Sequence, residues 1–243
     1  MAAQPWRNGK IIRIENETAS TKRFWIQIPE LEKFDFTPGQ FVTLDLPIHE
    51  QPNKRWRSYS IASAPDQTNV FELVIVLLDG GLGTTYLFNE ATVGTEFPVR
   101  GPQGHFVLPD PITTDIFMVC TGTGIAPFRS MLHHIHQNNI PHKGLFLISG
   151  TRKCPDALYL KELFDLKQKL SGFHYFPTFS REENPGEGMY VGYVHGVYQQ
   201  LMETPRDNPH FFLCGWKDMI MDARQKIQAL GVDKKSIHFE LYG

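Results

Sequence analysis

The hydrophobic rhythm of this chain changes once, near residue 110, and that change constrains the fold more than any single motif. Before it, short alternating or apolar runs (KIIRIEN, KRFWIQIP, QFVTLDLP, WRSYSIAS, VFELVIVLL, TEFPVRG) are separated by proline and glycine turns. Period-two alternation turns one side of each run inward, so these runs predict an N-terminal antiparallel β-barrel of about six strands, with one helix over residues 84–91. After the loop LPDPITTD, apolar runs alternate with amphipathic ones. DIFMVC precedes a helix to Gln137, GLFLISG precedes YLKELFDLKQKL, and HYFPTFS precedes HGVYQQLME. HFFLCG then precedes KDMIMDARQKIQAL, capped by Gly231, and IHFELY closes the series. That order predicts an α/β domain with a parallel five-stranded sheet. The expected domains are residues 1–110 and 111–243.

Composition narrows the function. With 243 residues, 41% hydrophobic and 21% charged, the chain has the make-up of a soluble globular protein. It has no run of about 18 apolar residues, and its start, MAAQPWRNGK, lacks the pattern of a secretory signal. The expectation is a cytoplasmic monomer without a membrane span. Cys120, Cys154 and Cys214 are too few and too scattered for an iron–sulfur cluster, a zinc site or a disulfide framework, so no metal is expected and redox chemistry must come from an organic cofactor. His133, His134 and His136 read as solvent-facing helix residues. A net charge of −2 excludes a nucleic-acid surface, which needs a basic excess.

Within the second half, the strand DIFMVC runs straight into Thr121-Gly122-Thr123-Gly124 and then a helix striped by Phe128, Met131, Leu132 and Ile135. Glycines let backbone approach a ligand, and the free amides of a helix start favour an anion, although an ordinary glycine turn has the same spelling. Other polar residues also fall at strand ends: Gly150, Thr151 and Arg152 after the second strand, Ser180 and Arg181 after the third, Cys214 to Trp216 at the fourth. In open α/β sheets ligands bind at that edge. An arginine rather than an acid after the second strand suits a 2′-phosphate, and Arg181 beside the Ser180 hydroxyl suits it again, favouring NADP(H) over NAD. Ser180 with Glu183 also spells a capping box, and Arg152 also reads as a solvated loop charge.

In the first half, alternation places Arg57 and Tyr59 on one face of a strand and Ser58 and Ser60 on the other. Gly80, Gly81 and Gly83 precede Thr84 and Thr85 at a helix start, a second place for backbone amides to meet a pyrophosphate. A half-buried aromatic strand and a plain turn are the bland readings.

Together RSYSIAS (57–63), GPQGHFVL (101–108), TGTGIAPFRSML (121–132), SRE (180–182), CGWKDM (214–219) and ELY (240–242) resemble the ferredoxin–NADP reductase family, in the family's order along nearly the whole chain. The resemblance implies an FAD-binding barrel and an NADP-binding α/β domain, with the two cofactors meeting between them. It places Arg57 on the flavin pyrophosphate, Tyr59 on the flavin ring and Ser60 near its reactive nitrogen. Gly83 and Thr84 would hold the pyrophosphate, and Val74, Ile75 and Val76 would border the flavin. Thr123, with Gly124, would reach both cofactors, and Ser180 and Arg181 match the family's 2′-phosphate clamp. Tyr190 of MYVG falls where a tyrosine stacks on adenine, with Gly188 where plant-type members usually carry lysine. Cys214, with Gly215, would lie against the nicotinamide, or else Cys214 is a small buried hydrophobe. Glu240 would assist nicotinamide placement and Tyr242 would cover the flavin, with the extra Gly243 following.

The implied activity is an NADPH-dependent FAD oxidoreductase passing single electrons to or from ferredoxin or flavodoxin. A reductase component of an oxygenase would share every motif, and a flavin-carrying subunit without nicotinamide chemistry is the reading from another class. Asn53 to Arg57 offers a basic patch for an acidic carrier or an ordinary solvated loop.

Overall fold

The structure is a computed structural model that describes residues 4–242; Gly243 and the first three residues lie outside the described part. Two compact units emerge. The first comprises residues up to Val107 together with Ala126–His134, and the second comprises Leu108–Ile125 and the chain from Ile135 onward.

The first unit is an antiparallel sheet of β1 (Trp6–Thr18), β2 (Thr21–Gln27), β3 (Phe41–Asp45), β4 (Trp56–Ser60), β5 (Val70–Val76) and β6 (Glu96–Gln103), in the order β4-β3-β6-β1-β2-β5. The 13-residue β1 pairs with β6 through Trp6–Lys10 and with β2 from Lys10 onward, and an irregularity between Ile11 and Arg13 marks where it bends between partners. Just past β4, the Ala62 amide donates to the Glu72 carbonyl of β5, joining the two ends of the sheet into a barrel. Ile11, Phe24, Ile26, Val42, Leu44, Phe71, Leu73 and Val99 fill the interior, as period-two alternation requires. Helix α1 spans Leu82–Asn89, two residues ahead of the expected 84–91, because the chain starts to coil directly after Gly81.

The second unit is a parallel sheet of β7 (Ile116–Thr121), β8 (Leu145–Thr151), β9 (Phe173–Phe179), β10 (Tyr190–Val191), β11 (His210–Trp216) and β12 (Ile237–Tyr242), ordered β10-β9-β8-β7-β11-β12. It has six strands, not the five expected. The extra strand is β10, two residues pairing Tyr190 with Thr178 and Val191 with Phe179, too short to carry a periodic signal. Helices α2 (Ala126–Gln137), α3 (Leu160–Lys169), α4 (Val194–Leu201) and α5 (Lys217–Ala229) connect the strands. Central strands of a parallel sheet are covered on both faces, which is why Ile116 to Cys120 is apolar without alternation and wholly buried. On one face Phe117, Ile148, Phe211 and Leu213 pack against Val194, Val197, Ile220 and Ile227 of α4 and α5, each fully buried apolar side chain stabilising the fold by about 1.5–3 kcal/mol. His133, His134 and His136 are half-buried, not solvent-facing, and burial lowers the pKa of His134. Among the described residues no helix is long and apolar enough to cross a membrane.

Candidate functional site

In the barrel unit the register sets Tyr59 opposite Val42 and Arg57 opposite Leu44, on the core-facing side of β4. Ser58 points the other way, its hydroxyl 3.0 Å from that of Thr43. Burial pushes the Tyr59 phenol up to about 12 against the opposing pull of the Arg57 charge, so Tyr59 is a neutral aromatic surface rather than a proton donor. Arg57 curls over the start of α1. Its Nη1 donates to the carbonyls of Lys54 (3.0 Å) and Trp56 (2.8 Å), and a methyl group placed on Gly83 would lie 2.9 Å from its Cγ. The segments that sequence reasoning assigned to one pyrophosphate therefore meet. The N-cap of α1 is Gly81, which offers no side-chain acceptor, and there is no acidic residue in the first turn, so the amides at this helix start face a guanidinium with no built-in anion.

One expectation needs correction here. The Thr84 hydroxyl is engaged within its own loop, accepting from the Leu78 amide at 3.1 Å and donating to the Gly81 carbonyl at 3.1 Å, which leaves the backbone of this turn as the ligand-facing part. Of the strand Val74–Val76, Val74 and Ile75 are buried, at 4% and 2% exposure, and Val76 is half-buried. Ser60 is buried at the end of β4.

Sequence reasoning missed what holds the segment after Ser60. Glu72, 3% exposed, accepts from Arg23 at 2.6 and 3.1 Å and from Arg129 at 3.1 Å. Arg129 also donates to the Ala62 carbonyl at 2.8 Å, and the Ser130 hydroxyl donates to the Ser63 carbonyl at 2.6 Å. One acid between two arginines satisfies a charge that would be costly alone in a barrel wall. The only trace in the sequence is a glutamate inside the apolar run VFELVIV.

In the second unit the carboxyl ends of β7 and β11 interlock backbone to backbone. A methyl group on Gly124 would sit 2.3 Å from the Cys214 carbonyl oxygen, and one on Gly215, at φ +131°, would sit 2.5 Å from the Thr121 hydroxyl. That hydroxyl accepts from the Trp216 amide at 3.2 Å. Thr123 lies between the two, in a single 3-10 turn over Gly122–Ile125. Cys214 pairs in register with Cys120 on one side and Glu240 on the other. Both thiols are fully buried. Burial, then the Glu240 charge, pushes the Cys214 thiol well up despite a hydrogen bond from Tyr242, so the sulfur stays protonated and is no nucleophile.

Two strands away, the ladder between β8 and β9 continues past both strands. The Ser180 amide donates to the Thr151 carbonyl at 3.0 Å and the Arg181 amide to the Arg152 carbonyl at 2.9 Å. Those bonds set Arg152 and Arg181, both exposed, side by side next to Ser180, just past Gly150 and Thr151. No helix begins at Ser180, and the carboxylate that reaches back belongs to Glu182, accepting from the Cys154 amide at 3.1 Å, so the capping-box reading falls. Tyr190, 37% exposed on β10, flanks this group with its ring tilted against Phe176 at 5.4 Å. Gly188 has φ +73°, a conformation glycine adopts freely and lysine does not, which accounts for the departure at that position.

The barrel unit thus sets Arg57 over an uncapped helix start, and the sheet unit gathers a glycine turn, Cys214 and two arginines at the carboxyl ends of its strands. Residues 8–108 match the family of oxidoreductase FAD-binding domains, and residues 118–225 match that of oxidoreductase NAD-binding domains. The chain is 34% identical over 216 residues to ferredoxin–NADP reductase B of Sorangium cellulosum, covering 86% of each protein. It is 30% identical over 239 residues to the 2-halobenzoate 1,2-dioxygenase electron transfer component of Burkholderia cepacia, covering 96% of this chain and 67% of that one. Among solved structures, a ferredoxin–NADP reductase from Neisseria gonorrhoeae with bound FAD and NADP superposes with a TM-score of 0.80 at 25% identity, covering 97% of this chain and 98% of that one. The chain belongs to the ferredoxin–NADP reductase family of FAD- and NAD(P)-binding oxidoreductases.

Proposed function

We propose that this protein is an NADPH-selective FAD reductase that supplies electrons one at a time to a small carrier protein such as a ferredoxin or flavodoxin. The observation that carries the selectivity is the pairing of Arg152 with Arg181 beside the Ser180 hydroxyl. Two arginine forks and a hydroxyl donor complement a phosphate dianion, and the residue after β8 is Arg152 rather than the acid that would hold a ribose 2′-hydroxyl.

The residues present fit both cofactors. Arg57 over the uncapped start of α1 suits a pyrophosphate, and the Gly122–Gly124 turn brings bare backbone to the sheet edge where a dinucleotide crosses. FAD, when bound, supplies the conversion between two-electron hydride chemistry and one-electron transfer. The chain's own part is positioning. Tyr59 offers a neutral ring, Ser60 a buried hydroxyl at the end of β4, and the protonated Cys214 a small uncharged wall. Glu240 sets a carboxyl beside that wall, and Tyr242, hydrogen-bonded to the Cys214 sulfur, would be the ring that the coenzyme displaces. Three free thiols suit a reducing compartment such as the cytoplasm.

A second reading, a reductase component of an oxygenase, is favoured by the likeness to the dioxygenase electron transfer component. Both readings share the first test, an anaerobic titration of the flavin-loaded protein with NADPH. The yellow band should bleach, and oxidised ferredoxin added next should restore it. A protein that stays colourless when supplied with FAD, or a band that NADPH leaves unchanged, contradicts the proposal. Return of colour only with an oxygenase component selects the second reading.

A further inference from the structure

We propose that Arg129 and Ser130 are positioning residues for Ser60, on which they act by gripping the chain as it leaves β4. The inference rests on the flavin reading of Ser60 and deepens it by naming what fixes that residue. β4 ends at Ser60, opposite Phe41. The next two residues, Ile61 and Ala62, are fully buried, so their backbone groups need partners within the protein. The amides find them in the barrel. Ile61 donates to the Gln40 carbonyl at 3.0 Å and Ala62 to the Glu72 carbonyl at 2.8 Å, while the Ser63 hydroxyl accepts from the Glu72 amide at 3.0 Å. The carbonyls of Ala62 and Ser63 turn instead to side chains of α2, accepting from Arg129 at 2.8 Å and from Ser130 at 2.6 Å.

Both donors stand on a fixed base. Ala126–His134 of α2 cluster with the barrel, and Phe128, Met131 and Leu132 beside the two donors are buried. Arg129 is held in its turn, because the Nη1 that donates to Ala62 also donates to the Glu72 carboxylate, which Arg23 anchors at 2.6 Å. A planar guanidinium keeps both contacts in one geometry, whereas a lysine keeps only the charge. A misplacement of about 1 Å near a reacting centre can cost on the order of 100-fold in rate. A grip two residues from Ser60 therefore acts on the rate of flavin reduction and not on coenzyme affinity.

Flavin-loaded wild type, Arg129→Leu, Arg129→Lys and Ser130→Ala would be compared by rapid-mixing reduction over a range of NADPH concentrations, and by hydrogen exchange without NADPH. In Arg129→Leu the limiting rate should fall by roughly 10–100-fold, with the half-saturating NADPH concentration within about twofold of wild type. Exchange should quicken at the Ile61 and Ala62 amides and stay as in wild type along β1 and β6. Arg129→Lys should recover part of the rate, and Ser130→Ala should lose roughly threefold with the same pattern. A wild-type limiting rate in Arg129→Leu overturns the assignment. So does a half-saturating concentration that rises in step with the loss of rate, or exchange that quickens across the whole barrel. Should Arg129→Leu fail to fold, Ser130→Ala decides, and a wild-type rate with wild-type exchange there overturns the assignment. Wild-type protein that binds FAD but is not reduced by NADPH removes the proposed function, and this assignment with it.

Discussion

The barrel and the parallel sheet each carry glycine at the proposed phosphate sites, but they put different things against it. At Gly83 the neighbour is the flexible Arg57 side chain, whereas at Gly124 and Gly215 it is the backbone and short hydroxyl of the adjacent strand end. A side chain can swing away from an added methyl group and a strand end cannot. The barrel site is therefore adjustable and tuned by charge, and the sheet edge is fixed by main-chain packing.

Gly124→Ala should give the largest effect. Its methyl group meets the Cys214 carbonyl at 2.3 Å, so the ends of β7 and β11 must part, costing about 1–3 kcal/mol and abolishing NADP+ binding. Urea unfolding and calorimetry would show it, and a variant with wild-type midpoint and affinity would erase the distinction between the two sites. Arg181→Ala comes next. Losing one charged hydrogen-bonding fork should cut kcat/KM for NADPH by about 10–100-fold and leave NADH untouched. Equal losses with both coenzymes would mean the arginine has no part in a phosphate clamp.

Gly83→Ala should leave the unfolding midpoint within about 0.5 kcal/mol of wild type, because Arg57 can move. FAD affinity should drop roughly tenfold as the guanidinium is displaced, read from reconstitution of the apoprotein. A large stability loss there would show the barrel site to be as rigid as the sheet edge.

The smallest effect is a pH response concentrated in the parallel-sheet unit, which holds His174, His195 and His238 against His134 alone in the first. Burial lowers the pKa of His174, His195 and His238, and His238 also feels His210, whose Nδ1 is 3.1 Å from its Nε2. A histidine kept neutral by folding contributes stability that is present above its unfolded pKa of about 6.5 and is lost as the pH falls through its lower folded pKa. Hydrogen exchange between pH 7 and 5 should therefore show β11 and β12 losing protection before β2 and β3. His238→Gln should flatten that slope, and uniform loss across both units would contradict it.

The sequence made the two architectures legible for unequal reasons. Six barrel strands showed themselves as short alternating or apolar runs between proline and glycine turns, and β7, β8 and β11 as unbroken apolar runs bounded by turns. Two-residue β10 has no period to detect. The adjacency of Arg152 and Arg181 was readable as a coincidence of strand ends, but the choice between clamp and helix cap for Ser180 needed the Glu182 contact. The Arg23–Glu72–Arg129 triad joins residues 49 and 57 positions apart, and pairings at that range leave no local pattern.

The most direct measurement is rapid-mixing reduction of the FAD-loaded wild-type protein by NADPH and by NADH under anaerobic conditions, followed at the flavin band. The expected result is reduction at far lower concentrations of NADPH than of NADH, with preformed 2′-phospho-AMP slowing the NADPH reaction competitively. Equal concentration dependence for the two coenzymes, with no competition, would contradict a phosphate clamp at the ends of β8 and β9.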